Sequence, residues 1–230
     1  MTDFHSPSGK YQNLSVINPI KIGGVEAAQT EIPPLIVVKL GSVDTLDADG
    51  IVVGGTATAA KTYTATGALV TGGVATFDVP RCVRITSTGN EAGLTFTITG
   101  TDEYGEAMTQ EITGPNAGTA DSLKAFKTVS SVAVSGAVAS TTGVAIGTCD
   151  KIGLPYKVAT KGCLVGLALD GGQVALTPVV ADTTAATATT GDVRGTISCT
   201  TAANGTIEWT VLIAPAAWAT EADIKGVAQA

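Results

Sequence analysis

One histidine, His5, is all this 230-residue chain has, and that scarcity removes much of the chemistry a protein of this size can carry. A Ser-His-Asp or Cys-His nucleophile needs its base fixed in a packed site beside the attacking group. His5 instead lies in a proline-containing stretch without sustained periodicity. A zinc site built on imidazole fails for the same reason. Aromatics are only 4% of the chain, so small and branched aliphatics must fill the core and few rings remain to stack on a sugar. Charged residues are 14%, which leaves Thr, Ser, Gly and Ala to supply much of the surface. The 13 basic residues contain no run of three, and the net charge is −7. Phosphate neutralisation takes clustered Lys and Arg, so nucleic acid is not an expected partner. No apolar run reaches the roughly 18 residues that suggest a bilayer-spanning helix. The first thirty residues also lack the basic-then-apolar block of an export signal. Synthesis in a cytosol, with no membrane partner, is the expectation.

Four cysteines, Cys82, Cys149, Cys163 and Cys199, show no Cys-x-x-Cys spacing, and each sits in or beside an apolar run. Small buried hydrophobes kept reduced are the expected state, with a disulfide or metal cluster as the alternative.

What the chain does have is alternation. In GLTFTITGTDEYGEAMTQEIT (93–113), Leu94, Phe96 and Ile98 alternate with Thr95, Thr97 and Thr99, the period of a strand with one buried and one wet face. This predicts a hairpin with its turn near Asp102 to Gly105. Its second strand breaks the pattern once, because Gln110 shares a face with Met108 and Ile112. Either Gln110 meets a partner or the strand carries a bulge. Further strand-like runs recur at short intervals from 35–40 to 206–213, separated by Gly- and Asp-rich turns drawn from 28 glycines. The fold class that follows is all-β: a β-sandwich or jelly roll of Ig-like strands. Residues 1–34, with prolines at 7, 19, 33 and 34, read as an extended N-terminal arm. Residues 35–213 form the β-sandwich domain, as one unit or as two small β units divided near residue 160, and 214–230 form a C-terminal tail. Only 120–126, 181–190 and the tail leave room for helix, the first as a single turn before a strand and the second more as a loop.

Two clusters of acids invite a functional reading. Asp102, Glu103, Glu106 and Glu111 lie on or beside one hairpin, and a pair of them flanking a glycosidic bond would make a β-fold glycosidase. Charges near a hairpin tip are also ordinary solvation, and no base–nucleophile pair accompanies them, so an enzyme is not expected. Asp44 to Gly50 (DTLDADG) contains the Asp-x-Asp-Gly core of a calcium loop. Thr56 stands where an EF-hand places its ligating Glu, and the flanks are strand-like, so a plain Asp/Gly turn is expected. No cofactor and no metal are predicted.

Six stretches occur in a fixed order: FDVPRCVRITSTGN (77–90), GLTFTITGTDEYGE (93–106), EITGPNAGT (111–119), KAFKTVSSVAVSG (124–136), KIGLPYKV (151–158) and TGDVRGT (190–196). Together they resemble virion structural proteins of tailed bacteriophages, a group similar to capsid decoration (cement) proteins and related head or fibre components. The resemblance covers about residues 77–200. It implies a β-rich protein repeated on the surface of the phage head, commonly a homotrimer, with the major capsid protein as partner and no catalytic or cofactor site. A head fibre, or a tail-associated or receptor-contacting fibre or spike protein, is the alternative placement. In the cement reading, Phe4, Tyr11, Leu14, Ile17 and Ile20 are apolar anchors spaced along the arm, laid across a neighbouring subunit.

Overall fold

The computed structural model describes residues 11–13, 36–155, 164–169, 172–174, 179–180, 196–198 and 201–213. Among them there is no helix. The strands in chain order are β1 (Tyr11–Asn13), β2 (Ile36–Ser42), β3 (Val52–Gly55), β4 (Lys61–Tyr63), β5 (Val70–Thr71), β6 (Val74–Asn90), β7 (Thr95–Thr101), β8 (Ala107–Thr113), β9 (Asn116–Val134), β10 (Val144–Gly153), β11 (Leu164–Leu169), β12 (Gly172–Val174), β13 (Val179–Val180), β14 (Thr196–Ser198) and β15 (Glu208–Ile213). Every pairing is antiparallel.

These strands make two packed sheets, as a β-sandwich requires. The smaller has the order β1-β2-β15-β11-β12, so it joins residues from opposite ends of the described chain. The larger runs β13-β14-β10-β6-β9-β7-β8, with β3 on β10, β4 on β9 and β5 on β6. Its spine is the pair β6 and β9, 17 and 19 residues long. Their register shifts between Thr76 and Arg81, between Cys82 and Arg84, and between Ser87 and Asn90. Such irregularities bend and twist a strand.

Two apolar clusters follow from this arrangement. Val38, Leu40, Trp209, Val211 and Ile213 of the smaller sheet pack with Val79, Ile152 and Ile197 of the larger and with Leu154, just past β10. The second cluster lies within the larger sheet and gathers Phe77, Val83, Ile85, Phe96, Ile98, Phe126, Val129 and Ile146. Each fully buried aliphatic or aromatic side chain contributes roughly 1.5–3 kcal/mol, which is how a chain poor in rings holds a core.

The predicted hairpin is β7–β8, paired without a break from Thr95↔Thr113 to Thr101↔Ala107. The strand has no bulge, and Gln110 has its partner: Oε1 accepts from Leu123 N at 3.1 Å and Lys124 N at 2.8 Å. Other expectations need correction. The runs 74–79 and 81–87 are one strand, β6, with Pro80 inside the irregular stretch where a missing N–H is tolerated. The single helical turn at 120–126 is strand, part of β9, because Ala120 and Asp121 pair with Ile85 and Arg84. The candidates 181–190 and 214–230 lie outside the described residues.

Candidate functional site

The Asp44–Gly50 segment is a turn docked on strand edges rather than an open ligand loop. Asp47 N donates to Thr148 Oγ1 at 2.9 Å, and Thr148 N returns a bond to Asp47 O at 2.7 Å. The docking depends on Gly147, where a Cβ would lie 1.9 Å from Asp47 O. Asp49 N donates to Asp47 Oδ1 at 3.3 Å, an Asx turn. Asp44 serves a different purpose. Its N–H donates to Asp78 Oδ2 at 2.8 Å, and its carbonyl accepts from Arg81 Nη2. Arg81 is 1% exposed and grips Asp78 with two bonds, Nε to Oδ1 at 2.9 Å and Nη2 to Oδ2 at 3.1 Å. Burial alone would raise the Asp78 carboxyl, but the bonds from Arg81 and from Asp44 N–H hold it below the usual carboxylate value. This ion pair fastens β6 of the larger sheet to the chain leaving β2 of the smaller one.

The acids of the hairpin are separated by their roles. Asp102 is buried and shapes the tip: its Oδ1 accepts from Tyr104 N at 2.8 Å and Glu106 N at 2.9 Å, while Gly105 takes φ +83°. Glu103 pairs with Lys127 at 3.5 Å. Glu106 and Glu111 are exposed. The cleft beside the tip, bounded by Pro80, Ala125 and Leu154, has a volume of about 10 Å³, the size of one water and no seat for a sugar ring. Asp102 Oδ2 is buried without a hydrogen-bond partner among the described residues. Burial raises the Asp102 carboxyl above its ordinary value, against the backbone bonds from Glu106 and Tyr104.

A raised carboxyl is destabilising when ionised, and that cost vanishes as pH falls through the folded value. Asp102→Asn keeps the Oδ1 acceptor and removes the charge. It is expected to stabilise the protein by about 1 kcal/mol at neutral pH, with the gain fading towards acid. Asp102→Ala, which abandons both turn bonds, is expected to cost about 1–2 kcal/mol. Urea unfolding at pH 7 and pH 4 measures both, and an Asn variant weaker than the parent at pH 7 contradicts the assignment.

Several other buried polar groups are also tied into the framework. Glu91, 0% exposed, accepts from Ser87 Oγ, Ser140 N and Ala139 N, each at 2.9 Å. Ser122 Oγ accepts from Val83 N at 2.8 Å and donates to Lys124 O at 2.7 Å. Lys124 Nζ donates to Thr109 O at 3.0 Å, and burial lowers its ammonium below the ordinary lysine value. Arg84 and Lys151 both pair with Asp121, at 2.6 and 3.7 Å. Among the described residues, no three of His, Cys, Asp and Glu converge in a way that would hold a metal ion.

Of the arm residues, the structure describes Tyr11. It lies in β1, opposite Val38, with Gln12 opposite Val37 and Asn13 opposite Ile36. The arm thus supplies the edge strand of the smaller sheet, a role that its lack of periodicity hides. Phe4, Leu14, Ile17 and Ile20 lie outside the described residues. Cys82 and Cys149 are free and fully buried, while Cys163 and Cys199 lie outside the described side chains.

Fold and polar framework together define an all-β, two-sheet protein whose described buried charges and amides brace strands and turns. No protein-family model, curated protein or solved structure matches the chain.

Proposed function

We propose that this chain is a structural protein of a tailed-bacteriophage particle, a decoration protein that binds the outer surface of the head and braces its capsomers. The observation that carries the reading is the arm. A short segment far from β2 in sequence completes the edge of its sheet by backbone pairing, and such pairing works as well across a subunit boundary as within one chain. The ordered motifs of 77–200 support the same reading, as does a surface rich in Thr, Gly and Ala. Partners in this reading are the major capsid protein and further copies of the chain, as a homotrimer. Its place is the virion head surface, after synthesis in the host cytoplasm. Each contact needs to bury roughly 1,000 Å² or more, repeated by symmetry.

Cryo-electron microscopy of the particle that incorporates this chain tests the proposal. Copies over the whole head support it. Copies confined to a vertex or the tail favour a fibre role, and a particle without the chain ends the reading. Removing residues 1–30 is expected to abolish head binding while the circular dichroism spectrum stays that of a folded β-protein. Truncated protein that decorates heads at full occupancy would show the arm to be dispensable.

A further inference from the structure

We propose that Cys82 and Cys149 form a peroxide-sensitive modification site, at which two adjacent thiols close into a cross-strand disulfide that locks β6 to β10. Val83 and Thr148 are the last residues paired before the β6–β10 register shifts, and Cys82 and Cys149 come next along the two strands. Their side chains meet in a small buried cluster with Ala125. Cys82 Sγ also lies 3.7 Å from Leu123 O. Facing residues on antiparallel strands sit about 4.5–5.5 Å apart at Cα, inside the roughly 4.4–6.8 Å range that disulfides span. Cys82 and Cys149 follow directly on the Val83–Thr148 pair, so closure asks for a local adjustment of the interrupted stretch.

The local chemistry gives the two sulfurs different parts. The neighbouring Cys82 thiol lowers the Cys149 thiol, while burial pushes the Cys82 thiol up. Cys149 is thus the first nucleophile. Its thiolate attacks one oxygen of a peroxide, the O–O bond breaks, hydroxide leaves and is protonated to water, and Cys149 becomes a sulfenic acid. The Cys82 sulfur then attacks the Cys149 sulfur, the S–S bond forms, the S–O bond breaks and a second water leaves. Two thiols lose two electrons, and one hydrogen peroxide is reduced to two waters. Both thiols are buried, so the oxidant must be small and the strands must part locally. The hydrogen-bond ladder is already interrupted there: β6 shifts register against β9 between Cys82 and Arg84, and against β10 between Thr148 and Ile152. Openings of this kind occur without global unfolding.

The experiment titrates hydrogen peroxide into the full chain, and into a Cys163→Ser/Cys199→Ser variant, with non-reducing peptide mapping by mass spectrometry and thermal melting. The expected product is one linkage, Cys82 to Cys149, with the loss of two hydrogens. Because it closes a loop of about 70 residues, the melting temperature should rise by roughly 5–10 °C and return on reduction. In the same background, Cys82→Ala should leave Cys149 to over-oxidise with no rise in melting temperature. Three results overturn the proposal: both thiols still reduced at doses that fully oxidise added free cysteine, linkage of either only to Cys163 or Cys199, or sulfinic acid on Cys149 in place of the linkage. Should the serine variant fail to fold, mapping of the parent chain decides alone.

Discussion

Glu91→Ala is expected to cost about 3–5 kcal/mol, a large share of the roughly 5–15 kcal/mol that holds a typical domain folded. The carboxylate is fully buried and accepts from Ser87 Oγ, Ser140 N and Ala139 N. Truncation strands three buried donors at about 1–3 kcal/mol each, less than additively. The loss concentrates where four strands end. Glu91 N donates to Pro115 O at 2.8 Å and Leu94 N donates to Glu91 O at 2.8 Å, so this residue joins the β6–β7 turn, the start of β9 and the β9–β10 connection. Water cannot slip in easily, since even a Cβ on Gly89 would lie 2.6 Å from Ser140 N and 2.8 Å from Glu91 Oε1. Glu91→Gln is the informative companion. Both carboxylate oxygens face a backbone N–H, so either orientation of the amide turns an NH₂ onto a donor. The variant should lose about 1–3 kcal/mol. Denaturant unfolding gives the ordering parent, Gln, Ala. Amide exchange at Ala139 and Ser140 should accelerate first. Equal stability of the Gln variant and the parent would rule out the clamp.

How much of this was legible beforehand depends on the residue. Phe96, Ile98, Met108 and Ile112 announce their strands because alternation and burial coincide, and Gln110 announced itself as the one exception on that face. The first half of β9 did not, since Asn116 to Asp121 are exposed or half-buried and carry no apolar period. Those residues are strand through pairing with β6, a property of the partner rather than of the segment. Pro80 misled for a related reason: it ends a regular ladder, but here the ladder is already irregular. Which strands share a sheet was not readable at all. Nothing in Ile36–Ser42 points to Glu208–Ile213, and β1 is three residues long. The candidate chemistry shows the same limit. Asp102, Glu91 and Arg81 look in sequence like solvating charges, and it is burial, visible only in three dimensions, that makes them structural. The meeting of Cys82 and Cys149 in one buried cluster is likewise a product of the fold, because the two are distant in sequence.

Arg81→Met is expected to destabilise the protein by about 3–5 kcal/mol at neutral pH, the range for breaking a buried pair and leaving one partner charged. Methionine fills much of the arginine's volume, so packing loss is not the main term. What remains is an Asp78 carboxylate deprived of two guanidinium bonds and an Asp44 carbonyl deprived of one. Asp78→Ala combined with Arg81→Met should recover part of the loss, because no buried charge is then left behind. The pH dependence separates this from simple misfit. In the parent, Asp78 titrates below its unfolded value, so its stabilisation is present above about pH 4 and is lost as pH falls through the lower, folded value. In Arg81→Met the guanidinium bonds are gone while those from the Asp44 and Val79 N–H groups remain, so Asp78 should titrate higher than it does in the parent. Acid therefore costs the variant less of this stabilisation than it costs the parent. Asp121, also held low by Arg84 despite its burial, weakens both proteins alike and cancels in the difference. Urea unfolding at pH 7 and pH 3 should therefore show a gap that narrows with acid. A gap of constant size would mean that Arg81 acts by filling space, and that the two sheets are not held by this charge.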